Sequence, residues 1–174
     1  MAFEKIERTK HKVVSKQTST ITSLVSGTEN PFSLKCVFYV IDNGDLVTRF
    51  SLNHWYQGHE NIAHGGACYA VMDEIMGRAN AAYNEMHNLG YTPVVTGEIT
   101  CRYISPAPLF ETLYAYGRVD SVDGRKRFTS GEVVTEDGRV LVKCKGVFFQ
   151  VNYIPNDDGH EAGTPLDEND PEEI

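Results

Sequence analysis

Hydrophobic and polar positions along the chain change period several times, and each change marks an element. LKCVFYVIDNGDLVTRFSLN, residues 34–53, is two β-rich runs around Asn43-Gly44. Asn-Gly between β-branched and aromatic residues is a hairpin signal. HWYQGHENIA, residues 54–63, has no period and reads as a loop. From Gly65-Gly66 the pattern turns helical. It runs through Ala67, Cys68, Ala70, Val71, Met72, Ile75, Met76, Ala79 and Ala82 towards a stop at Gly90. The apolar arc is wide, so this helix is expected to be covered on most sides.

Four strand-like runs follow. TPVVTGEITCRYI (92–104) alternates Val95, Gly97, Ile99, Cys101 and Tyr103 against Thr96, Glu98, Thr100 and Arg102, which puts Thr96 on the polar side. After SPAPLFE come TLYAYGRVDS (112–121), RKRFTSGEVVT (125–135) and VLVKCKGVFFQVNYI (140–154). Asp123-Gly124 and Asp137-Gly138 join these three into an antiparallel meander. Residues 1–30 are polar and Ser/Thr-rich, and a short helix or loose arm is expected there. Residues 31–154 form the folded domain. Residues 155–174 are acidic and poor in apolar side chains, which predicts a disordered tail.

Composition narrows the function. A chain of 174 residues is one domain's worth, 41% hydrophobic and 23% charged, as in ordinary globular proteins. A net charge of −8 argues against nucleic acid bound through a broad basic surface. No apolar run reaches membrane-spanning length and none follows the charged start MAFEKIERTKHK, so a soluble, cytoplasmic protein without a membrane partner is expected. Cys36, Cys68, Cys101 and Cys144 lie in four separate segments without a C-x-x-C spacing and read as buried reduced thiols. The six histidines are scattered, and no metal site is expected.

The chemistry concentrates in NIAHGGACYAVMDEIMGRAN, residues 61–80. Helical neighbours of Asp73 at i±3 and i±4 are Tyr69, Ala70, Met76 and Gly77, so its carboxylate projects from a largely apolar strip. A carboxylate there needs a partner, water or a catalytic role. Glu74 and Arg78 stand four apart and read as a surface ion pair. His64-Gly65-Gly66 opens the same helix. Free N–H groups at a helix start favour negative charge, and glycine lets a carbonyl approach closely.

HGG, six residues and then Asp, followed by VVTGEITCRYISPAPL and VDGRKRFTSGEVVTEDGRVLVKCKGVFF, resembles the hotdog-fold acyl-CoA thioesterases of the phenylacetate-degradation type. The resemblance covers about residues 35–152. It implies an α+β hotdog fold, a long central helix wrapped by a curved antiparallel sheet. Protomers would join sheets into homodimers or dimers of dimers, with active sites at the interface. It also implies hydrolysis of an acyl- or aryl-coenzyme A, with no cofactor beyond the coenzyme A of the substrate. Carried over by motif, Asp73 is the base or nucleophile, the Gly66 N–H the oxyanion donor, and His64 a loop-shaping or carbonyl-contacting residue. Thr96 orients water, and Gly65 lies beside the substrate.

Arg125, Lys126 and Arg127 are the candidates for the coenzyme A phosphates, since guanidinium forks suit phosphate; the bland reading is a solvated hairpin end. One departure stands out. Many relatives carry Asn or Gln six residues before the histidine, where this chain has Gly58 between Gln57 and His59, either of which a shifted loop would bring into that role. Two other functions fit this fold, a non-catalytic acyl-CoA sensor and an acyl-thioester dehydratase. The retained Asp73 weighs against the first. The HGG-to-Asp spacing weighs against the second.

Overall fold

A computed structural model describes residues 4–18, 21–152 and 164–174. Nine strands and one long helix follow in order. They are β1 (Val13–Gln17), β2 (Phe38–Ile41), β3 (Leu46–Phe50), β4 (Gln57–His59), β5 (Ile62–Ala63), α1 (Gly65–Met86), β6 (Val94–Tyr103), β7 (Leu113–Asp123), β8 (Lys126–Thr135) and β9 (Val140–Gln150). Seven strands make one antiparallel sheet in the order β1-β2-β3-β7-β8-β9-β6, while β4 and β5 pair as a small ribbon. The expected turns are all present. Gly44, Gly124 and Gly138 each take positive φ, at 87°, 54° and 82°.

The inner face of the sheet packs on α1. Val71, Met72, Ile75, Met76 and Ala79 of the helix meet Leu46, Leu113, Ala115, Val133, Leu141 and Phe148 from the strands. Their 3.6-residue and 2-residue periods face each other, which is why one helix fits one curved sheet. Gly65 and Met86 bound the helix, slightly inside the expected stop at Gly90.

Three expectations are corrected here. The amino-terminal arm holds no helix among its described residues. Instead VVSKQ alternates buried Val13, Ser15 and Gln17 with outward Val14 and Lys16, and pairs with β2 as an edge strand. The acidic tail is ordered over residues 164–174, while 155–163 lie outside the described residues. Ile174 is buried against Val13, Ile41, Val47, Tyr114 and Tyr116 on the outer face. Backbone bonds between His11 and Ile174, and from the Val13 N–H to the Glu172 carbonyl, hold it there. Lys16 bridges Asp167 and Asp170, both at 2.6 Å, so the acidic residues find a cation that composition alone does not reveal.

The third correction concerns cysteines. Cys101 and Cys144 stand directly opposite each other on β6 and β9, with Cα atoms 4.2 Å apart, and form a disulfide. Register, not sequence spacing, brings them together. Cys36 and Cys68 are free and buried as expected, their thiols pushed up to about 12 and about 11 by burial. Among the described residues, no helix is long and apolar enough to cross a membrane.

Candidate active site

The helix entrance is built by His64. Its φ of −63° and ψ of 131° leave it outside the helix, and its Nδ1 accepts the Gly66 N–H at 2.9 Å. That makes His64 an N-cap with an unprotonated Nδ1. The arrangement alters the expected oxyanion hole. The Gly66 N–H is already committed, and becomes a free donor only when the imidazole turns away. The Gly65 N–H makes no hydrogen bond among the described residues. It is the free donor at the positive end of α1.

Gly58 explains the missing amide. A Cβ there would lie 3.0 Å from the His64 Cα and 3.3 Å from the His64 nitrogen, so a side chain would crowd the backbone at the helix entrance. The neighbours diverge. Gln57 lines a hollow of about 320 Å³ with His64, Gly66 and the 80%-exposed Trp55. His59 lines another of about 370 Å³ with Gly65, Cys68 and Tyr103.

Asp73 is half-buried, not sealed in the core, and opens on a third cleft of about 320 Å³. Gly77, Asn80, Val94, Thr96 and Phe148 are among the residues that line it. Thr96 donates its hydroxyl to Asp73 Oδ1 at 2.7 Å. Simple alternation puts Thr96 on the polar side, and a bulge overturns that. Thr96 pairs with Phe148 and Glu98 pairs with Val147, so Gly97 is an extra residue that shifts the phase. Only glycine fits, since a Cβ would lie 2.3 Å from the Phe149 ring and 3.0 Å from the Val147 carbonyl. The shift turns Thr96 towards α1, in the same phase as inward Ile99, Cys101 and Tyr103.

Strand β6 thus lies along α1 and hydrogen-bonds to it at both ends. Tyr103 donates its hydroxyl to the Gly65 carbonyl at 3.0 Å, while Thr96 reaches Asp73. Tyr103 is a site residue that the sequence reading did not single out. Its phase with Ile99 and Cys101 was the available signal.

The basic cluster separates. Arg125 and Lys126 are exposed at the β7–β8 turn, but Arg127 is 4% exposed beneath the helix, its guanidinium 5.9 Å from the Tyr83 ring. Strand alternation sends Arg127 to the inner face with Thr129 and Val133, so the three cations do not form one phosphate-facing patch. Glu74–Arg78 is corrected too. The Arg78 side chain is 2% exposed, held by Glu74 at 2.9 Å, the Ser26 hydroxyl and the Thr18 carbonyl. Ser23 and Ser26 donate to Glu74 in turn. This ion pair, with its arginine buried and its glutamate half-buried, ties the amino-terminal segment to α1. Met72 and Met76 are core, and Tyr83 stacks on His87 with ring centroids 4.0 Å apart. No group of three or more His, Cys, Asp or Glu side chains converges on a metal-sized site among the described residues.

Known proteins share this fold. The family model of the thioesterase superfamily matches residues 60–142, which hold the HGG entrance, Asp73 and Thr96. The crystal structure of protein RHA08564, a thioesterase superfamily protein, is similar at 34% identity with a TM-score of 0.67. That match covers 75% of this chain and 61% of that one. The Escherichia coli PaaI protein from the phenylacetic acid degradation operon shares the fold, with 17% identity, a TM-score of 0.59 and coverage of 68% and 80%. Acyl-coenzyme A thioesterase THEM4 of Xenopus laevis is 28% identical over 106 residues, 61% of this chain. The chain spans only 45% of that relative's length. The architecture is the hotdog fold, α+β, with one long helix against a large antiparallel sheet.

Proposed function

Taking the chain as a hotdog-fold protein of thioesterase-superfamily type, we propose that it hydrolyses the thioester bond of an acyl- or aryl-coenzyme A. The observation that carries this is the Thr96–Asp73 pair in an open cleft on α1. The Thr96 hydroxyl occupies Oδ1, which leaves Oδ2 to act. As base, Asp73 takes a proton from water while the water oxygen bonds to the thioester carbonyl carbon. As nucleophile, Oδ2 itself bonds to that carbon, and water then cleaves the anhydride. Either way the C–S bond breaks and the coenzyme A thiol leaves with a proton.

Developing charge on the carbonyl oxygen calls for N–H donors, which the helix entrance provides. Gly65 supplies the free one, and Gly66 a second once His64 releases it. Eight residues separate Gly65 from Asp73, about 12 Å along a helix. One carbonyl does not reach both. Two copies pairing β6 edge to edge around a two-fold axis resolve this. Their α1 helices run antiparallel, and the entrance of one lies beside the middle of the other. The ten residues of β6 form an edge with no buried residue, ready for such pairing. Homodimerisation, as a dimer or a dimer of dimers, is therefore part of the proposal. Arg125 and Lys126 remain candidates for the coenzyme A phosphates from their exposed turn.

Thiol release from short, medium, long and aryl acyl-coenzyme A substrates tests the reading. Turnover by the wild type that Asp73→Asn abolishes supports it. Binding without turnover makes the chain a sensor.

A further inference from the structure

The outer face of the sheet carries a larger hollow that thioester chemistry leaves unused. It encloses about 670 Å³, against about 320 Å³ for the cleft at Asp73, and falls in the size range of small-molecule sites. Its floor is made by outward side chains of β2, β3 and β7, namely Tyr39, Arg49 and Tyr114. Arg8 and Lys10 of the amino-terminal arm and residues of the ordered carboxy-terminal segment wall it in.

Four cations line this hollow: Arg8, Lys10, Lys35 and Arg49. None belongs to an ion pair among the described residues, whereas Lys5, Lys16, Arg78, Arg118 and Lys143 all do. Arg8 is positioned without being neutralised. It lies 3.4 Å from the Tyr114 ring centroid and donates to the Tyr116 hydroxyl at 3.1 Å. Lys35 is likewise held, by the carbonyls of Gly27, Thr28 and Asn30. Lys10 and Arg49 are exposed, and neither makes a side-chain hydrogen bond among the described residues. Two carboxylate side chains, Glu136 and Glu173, and the α-carboxylate of Ile174 line the hollow against these four charges, which leaves it net positive. In a chain of net charge −8, a positive hollow in which Arg8 and Lys35 are already positioned is set to attract an anion.

We propose that this hollow binds a small phosphate-bearing molecule of nucleotide size, at a site separated from Asp73 by the thickness of the sheet. Two guanidinium groups match phosphate oxygens, and the volume leaves room for an organic moiety beside the Tyr39 ring. Because the walls come from both terminal segments, the ligand also ties those segments to the sheet.

Calorimetric titration of the full chain with ADP, and separately with inorganic phosphate, tests this. The proteins are wild type, Arg49→Gln, Lys10→Gln and Asp73→Asn, each checked for an unchanged far-ultraviolet spectrum. Both charge variants alter exposed side chains and should fold. The expected result is saturable ADP binding, weakened about tenfold or more in Arg49→Gln and Lys10→Gln and unchanged in Asp73→Asn. Phosphate binding as tightly as ADP would keep the phosphate site and identify the free ion as its ligand. No saturable binding of either probe would overturn the proposal. So would binding undiminished in Arg49→Gln, or binding lost in Asp73→Asn, which would put the ligand in the catalytic cleft.

Discussion

The two faces of this sheet are covered by different means. The inner face meets one helix whose apolar residues recur at helical spacing, and each contact there follows from a local period. The outer face is covered by two terminal segments without any period. Long-range contacts hold them: backbone bonds of His11, Val13 and Lys16 to the carboxy-terminal segment, Lys16 to Asp167 and Asp170, the Tyr39 hydroxyl to Asp170, and Ile174 against Val13 and Ile41. Periodic packing gives a rigid support, and the candidate catalytic residues stand on it. Strapped packing depends on partners far apart in sequence, and its ion pairs are open to pH.

Breaking the inner face should have the largest effects. Asp73→Ala is expected to lower kcat by about a thousandfold or more, the scale of losing a catalytic base or nucleophile, while the thermal midpoint stays near wild type. Arg78→Ala leaves the half-buried Glu74 without its cation and should cost about 3 kcal/mol in urea unfolding, the low end for a broken buried pair. Thr96→Val removes one hydrogen bond to a carboxylate, worth about 1.5–3 kcal/mol. Steady-state kinetics should show a fall of ten- to a hundredfold in kcat with little change in KM. Ile174→Ala acts on the outer face. It should cost about 2 kcal/mol, the low end for an aliphatic truncation, and leave kcat unchanged.

The smallest effect sharpens the contrast, because pH should release the outer straps alone. Lys16 holds the Asp167 carboxyl below the usual range. For Asp170, burial would raise the carboxyl, but bonds from Lys16, the Asp167 N–H and Tyr39 outweigh it and the net shift is downward. Carboxyls depressed on folding stabilise above their unfolded value, about 4, and that stability is lost as pH falls through the lower folded values. Lys16 is the mirror case, raised to about 12 by its bonds to Asp167 and Asp170. Its contribution is full below its unfolded value and disappears as pH rises through about 12. The methyl resonances of Ile174 should therefore move towards unstructured positions at either extreme. Resonances of Val71 and Ile75 should hold their native positions while the straps release.

Legibility in the sequence follows the same division. The hairpin at Asn43-Gly44, the helix and the meander could be read because turns and periods are local. The HGG entrance and Asp73 stood out because they broke a local pattern. Thr96 was assigned to the wrong face because one extra residue, Gly97, shifts the phase, and alternation assumes none. The Cys101–Cys144 pair lies 43 residues apart and depends on register. Arg78 looked exposed because the segment that buries it, with Thr18, Ser23 and Ser26, lies some fifty residues earlier. The carboxy-terminal strap was invisible because its partners are more than a hundred residues away.

The most direct test of the catalytic assignment is single-turnover hydrolysis of an acyl-coenzyme A by wild type and Asp73→Asn, followed by thiol release. The account expects turnover in the wild type and a loss of orders of magnitude in a variant that still folds and still binds coenzyme A. Undiminished turnover in Asp73→Asn would contradict it and leave the Thr96–Asp73 bond a structural contact between β6 and α1.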